Sequence, residues 1–79
     1  MEENVLGNYL IETLKNKGMS QADLARELGC TRQMVSGIIH KRWRLSVDLA
    51  IKISSILDIN VYELLSYQNR DDVHKIIAK

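Results

Sequence analysis

An all-α fold of five short helices, with a sixth able to form in the tail, follows from three features of the sequence. Apolar residues recur at three- and four-residue intervals along most of the chain. Residues that cap helices, Ser20, Thr31, Ser46 and Asn60, stand just ahead of those periodic stretches. The connections are short, with no repeat, low-complexity tract or interdomain linker, as a small helical bundle requires.

Residues 4–17 form the first helix. Val5, Leu6, Tyr9, Leu10, Thr13 and Leu14 share a face, with Tyr9 and Leu14 in the core; Lys15 and Lys17 suit the negative end of the helix dipole, and Gly18 stops it. The second helix spans 20–28. Ser20 and Asp23 are a near relative of the reciprocal capping box, and Leu24, Ala25 and Leu28 line one side. Gly29 supplies the left-handed residue that closes it. The third helix, 31–40, opens on Thr31 and turns Val35 and Ile38 inward. Ala25 is small in a leucine-lined face, so another helix can cross close to it.

Residues 40–45 make a basic loop with one tryptophan. Trp43 either plugs the gap between the third and fourth helices, the preferred reading, or lies against a sugar-phosphate backbone. Ser46 caps a fourth helix, 46–57, with Asp48 in its positive first turn. Val47, Leu49, Ala50, Ile51, Ile53, Ile56 and Leu57 cover so much of its circumference that it should be largely buried and form the spine of the core. After a turn at Asp58 and Ile59, Asn60 and Glu63 open a fifth helix that runs to about Ser66, with Leu64 and Leu65 inward. In the tail, Asp71 or Asp72 can cap a last helix whose Val73, Ile76 and Ile77 close over the core, pack on a second copy or fray.

A chain of 79 residues builds one small domain whose core is marginal, so pairing with a second subunit is expected. No apolar run is long enough to span a bilayer, and the acidic start lacks an adjoining apolar stretch, so the expected location is the cytoplasm and no membrane partner is implied. The single Cys30 cannot form an internal disulfide and reads as a buried thiol beside the turn. His40 and His74 have no ligand set at metal spacing, and no residues are ordered as a nucleophile with its base, so neither a metal, a cofactor nor an enzyme is expected.

The net charge of +1 is uninformative, but its distribution is not. Between residues 29 and 45 there is no acid, whereas Arg32, Lys41, Arg42 and Arg44 all fall there. Alone, such a cluster reads as a solvated face; beside two short helices joined by a tight turn, a polyanion surface is the better reading.

Residues 20–39 resemble the helix-turn-helix of the phage-repressor and Cro-like family. Gln21 opens the first helix of the motif, Ala25 marks the crossing, Gly29 makes the turn and Val35 anchors the second helix, with Leu24, Leu28, Cys30 and Ile38 at the remaining core positions. The likeness runs to about Leu65. It implies a lambda-repressor-like bundle in which residues 1–66 are the DNA-binding domain and 67–79 a tail for core closure or dimerisation. It also implies a transcriptional repressor that works as a homodimer on an inverted repeat of double-stranded DNA. In that geometry the second helix enters the major groove. Arg32 and Gln33 would read bases, supported by Ser36, with Gly37 on the same outer side letting the helix approach the groove floor. Ser20, Gln21 and Thr31 at helix N-termini, and His40, Lys41, Arg42 and Arg44 in the loop, would hold phosphates.

Three positions depart from the family's commonest pattern: Lys41 and Asp58 stand in place of glycines, and Leu45 in place of a proline. Residues 35–39 and 45–50 are also similar to HigA-type antitoxins, through Ile39, the Leu45-Ser46 start and the pair Asp48 and Ala50. That resemblance implies an alternative role, in which the protein represses its own promoter and holds a toxin protein as a second partner.

Overall fold

The structure, a computed structural model, describes residues 4–77, with side chains through 72. Five helices follow one another: α1 (Val5–Lys17), α2 (Gln21–Leu28), α3 (Arg32–Ile39), α4 (Val47–Leu57) and α5 (Val61–Ile77). Among the described residues there is no strand. The first four helices start where their caps lie. The side chains of Asn4, Ser20, Thr31 and Ser46 each accept a backbone N–H from the first turn that follows. Asn60 does the same for α5, its Oδ1 accepting from Tyr62 N–H at 2.8 Å.

Leu10, Leu24, Ile39, Leu45, Ile53, Leu57 and Leu64 are fully buried, so all five helices and the loop before α4 contribute to one core. Each such side chain withdrawn from water contributes roughly 1.5–3 kcal/mol before the cost of ordering the chain. Tyr9 sits at the edge of this core against Tyr67, ring centroids 4.7 Å apart. No helix among the described residues is long and apolar enough to cross a membrane.

Two expectations are corrected. The fifth helix does not stop near Ser66; α5 continues unbroken to Ile77, which replaces the separate sixth helix capped by Asp71 or Asp72. The continuation holds because Gln68 and Asp71 extend the buried stripe of Leu64 at helical spacing and find polar partners there. The side chains of Val73, Ile76 and Ile77 lie outside the described residues. The fourth helix is buried on one side only: Ala50, Ile53 and Leu57 face the core, whereas Val47 and Ile51 are 60% and 51% exposed. Its neighbours α1, α2 and α5 leave that outer row uncovered.

Candidate nucleic-acid interface

α2 packs most extensively on α3. Ala25 of α2, 3% exposed, and Val35 of α3, 2% exposed, are both buried in the core. Gly29 adopts φ 72°, ψ 31°, the left-handed region that costs an L side chain energy. Around it Cys30 N–H reaches back to the Ala25 carbonyl at 3.0 Å and Gly29 N–H to the Arg26 carbonyl at 3.2 Å. This pair of bonds satisfies the last carbonyls of α2 and turns the chain directly into α3.

At the start of α2 the capping box is complete: Asp23 N–H donates to Ser20 Oγ, and Ser20 N–H to Asp23 Oδ2, both at 3.0 Å. The Ser20 backbone N–H, followed by the Ser20 hydroxyl and by Arg26 3.2 Å away, holds the Asp23 carboxyl below its ordinary range. Thr31 Oγ1 accepts Met34 N–H at 3.2 Å and fixes the first turn of α3. The other face of α3 carries Arg32 and Gln33, both exposed, and Ser36, half-buried. These three line a shallow open cleft together with Arg42.

α3 ends in the same manner as α2, but without glycine. Arg42 N–H reaches the Gly37 carbonyl at 2.7 Å and Lys41 N–H the Ile38 carbonyl at 3.3 Å, with Lys41 itself at φ 63°. That turn folds the basic loop back against the helix and brings Arg42 beside Arg32.

A helix-turn-helix family model matches residues 10–64. The chain belongs to the helix-turn-helix family, in its XRE, Cro-like branch. A relative from Neisseria meningitidis serogroup B, described as a hypothetical transcription factor, is 40% identical over 50 residues. That alignment covers 63% of this chain and 47% of the relative, so the chain spans about half the relative's length. No solved structure matches.

Of the expected residues, Arg32, Gln33, Ser36 and Arg42 come together in that cleft. Gly37 is buried, not on the outer face. A Cβ built there would lie 3.4 Å from the Trp43 indole, because the turn at Lys41 folds that ring over the glycine. Trp43 therefore covers α3 with one face and keeps 52% of its surface exposed. Cys30 is half-buried, its Sγ 3.6 Å from the Thr31 carbonyl, since the turn holds it at the margin of the core. Gln21 is half-buried and His40 exposed. Lys41 and Arg44 lie in the loop but face acids: Lys41 Nζ is 3.9 Å from Asp71, and Arg44 pairs with Asp72. Arg42 has no such acid among the described residues.

Sequence reasoning missed the residues that hold this loop. Gln68, buried, accepts Leu45 N–H at 2.7 Å and donates to the Leu45 carbonyl at 2.9 Å. The Asp71 carboxylate accepts the N–H groups of Val5 at 2.9 Å and Leu6 at 3.0 Å, capping α1 from 65 residues away. Asn4 donates to the Ile39 carbonyl, and Gly7 allows that approach. A signal existed in the spacing: Leu64, Gln68 and Asp71 fall at i, i+4 and i+7, so two polar residues occupy a core stripe.

Proposed function

We propose that this protein is a sequence-specific double-stranded DNA-binding transcriptional regulator, a repressor that reads the major groove through α3. One observation carries the reading: Arg32, Gln33, Ser36 and Arg42 share an outward cleft on the second helix of a helix-turn-helix, in a stretch without acids. Arginine donates two bonds to guanine O6 and N7, and glutamine pairs with adenine N6 and N7. Arg32 and Gln33 are the base readers and Ser36 their support. The α2 and α3 starts at Ser20, Gln21 and Thr31, with His40 and Arg42 beyond α3, hold phosphates and set register. The name of the Neisseria relative, a hypothetical transcription factor, supports the same class.

One such helix covers few base pairs, so the repressor acts as a homodimer on an inverted repeat, its half-sites about 34 Å apart. Tyr62 at the start of α5, 80% exposed, is a candidate for that contact. A second reading, an antitoxin that autorepresses and holds a toxin protein, draws on the exposed Val47 and Ile51 beside the Leu45-Ser46 start of α4. A toxin gene next to this one would favour it.

The test is a mobility shift on the DNA upstream of the protein's own gene at two salt concentrations, followed by binding-site selection. Arg32→Ala should flatten the preference at one base position, at a cost of roughly 1–3 kcal/mol, whereas Arg42→Ala should weaken all sequences alike. Failure of the unmodified protein to retain any duplex would end the proposal.

A further inference from the structure

The basic loop after α3 is held by one face of α5. Gln68, Asp71 and Asp72 stand at i, i+3 and i+4, and each engages a different residue of loop 41–45. Gln68 grips both backbone groups of Leu45. Asp71 lies opposite Lys41 while its two oxygens are fixed by the first turn of α1. Asp72 pairs with Arg44 across 28 residues. All three lie beyond residue 64, where the family match ends.

We infer that this face of α5 positions the DNA-docking loop and neutralises two of its three cations, so that the loop's grip on phosphate falls chiefly to Arg42. The three contacts divide the labour by burial. Gln68 and Asp71 are buried; the Gln68 bonds to the Leu45 backbone are made away from water and fix the loop's path before any ligand arrives, while Asp71, held by the first turn of α1, stands opposite Lys41. Asp72 is partly exposed, and its bond to Arg44 is made where a phosphate oxygen would otherwise compete for the same guanidinium. The consequence is a limit on non-specific affinity. Each cation withheld from phosphate removes about one counterion released on binding, which lowers sequence-independent attraction and leaves base readout by Arg32 and Gln33 unchanged.

The inference rests on the DNA-binding reading above, and a three-protein comparison separates the two. The full chain, Gln68→Met and Asp72→Asn are titrated with duplex from the protein's own upstream region and with an unrelated duplex, over a salt series. Gln68→Met keeps volume and removes both bonds to Leu45. The expected result is binding about tenfold weaker, with faster hydrogen exchange at the Leu45 amide while α2 and α3 amides keep their protection. Asp72→Asn keeps shape and removes the charge that neutralises Arg44. The expected result is tighter binding to both duplexes at low salt and a log–log salt dependence steeper by about one. A change in thermal stability alone, with affinities and salt slopes equal to those of the full chain, overturns the inference while the DNA-binding reading stands. Should Gln68→Met not fold, Asp72→Asn at its partly exposed site still decides, because an unchanged slope contradicts the neutralisation of Arg44. If the unmodified chain binds neither duplex, both readings fall together.

Discussion

The Asn4 carboxamide donates to the Ile39 carbonyl at 2.8 Å, so the entry to α1 is hydrogen-bonded to the last residue of α3. The same side chain accepts Gly7 N–H at 3.0 Å, and one residue thus caps α1 and docks it on α3. Gly7 makes room for this: a Cβ there would fall 2.2 Å from the Ile39 carbonyl and 2.5 Å from Asn4. Gly7→Ala should therefore destabilise the fold by about 3 kcal/mol, against the usual preference for alanine in a helix. Urea denaturation would show a lower midpoint with little change in slope; an unchanged midpoint would mean that α1 does not lie so near α3.

Asp71 is the counterpart of Asn4 on α5. Together they accept the N–H groups of Val5, Leu6 and Gly7, which no intrahelical carbonyl can reach. Asp71→Ala leaves the buried Leu6 N–H and the half-buried Val5 N–H without that acceptor and removes a negative charge from the positive end of α1, a loss of about 2–3 kcal/mol. A chain ended at Ser66 would lose this cap, the Gln68 bonds and the Tyr9–Tyr67 contact at once. Calorimetry should find it far less stable than the full chain; equal melting temperatures would refute the structural role of residues 67–72.

These two residues also mark where sequence reading stops. The four helices before α5 lie within a residue or so of their expected bounds, because Ser20, Thr31 and Ser46 act on N–H groups three positions away. Ala25 and Val35 are buried as the motif requires. Asp71 acts on groups 65 and 66 positions earlier, and Gln68 on a residue 23 positions earlier, so no local window contains their partners. Polar residues from 68 to 72 consequently look like the end of a helix. The orientation of Gly37 failed for a related reason: periodicity places a residue on a face, but what covers that face depends on the path of the loop. Val47 and Ile51 show the reverse error, apolar residues with nothing packed over them.

The glycine departures at 41 and 58 have a measurable consequence. Both residues adopt positive φ, 63° and 55°, as glycine would at a helix C-terminus. Asp58 also sets a negative charge at the negative end of α4. Asp58→Gly should stabilise the protein by about 0.5–1 kcal/mol despite the added freedom of the unfolded chain. Lys41→Gly should gain less, because it gives up the approach to Asp71. Thermal melts of both variants check the order; a destabilised Asp58→Gly would contradict the strain argument.

The capping box of α2 makes a pH prediction. Its bonds to Ser20, first to the backbone N–H, depress the Asp23 pKa in the folded state. For a depressed carboxyl the contribution is present above the unfolded value, near 4, and is lost as pH falls through the folded one. Melting temperature should decline below about pH 4, with Asp23→Asn showing a shallower decline over that window. A variant whose acid limb coincides with that of the unmodified chain would show that other carboxyls carry the effect.

Trp43 reports on the end of α3. Its indole lies over Gly37, whose carbonyl also accepts Arg42 N–H at 2.7 Å and Trp43 N–H at 3.3 Å. A methyl group at 37 would meet the ring at 3.4 Å, ordinary contact for a side chain that is half in water and able to move outward. Alanine also removes the backbone entropy that glycine forfeits on entering a helix. Gly37→Ala should therefore stabilise by about 0.5–1 kcal/mol and shift the tryptophan emission, while duplex affinity stays within about twofold. If the added methyl instead abolished DNA binding with stability intact, residue 37 would face the groove after all, and the indole would have to leave it when DNA docks.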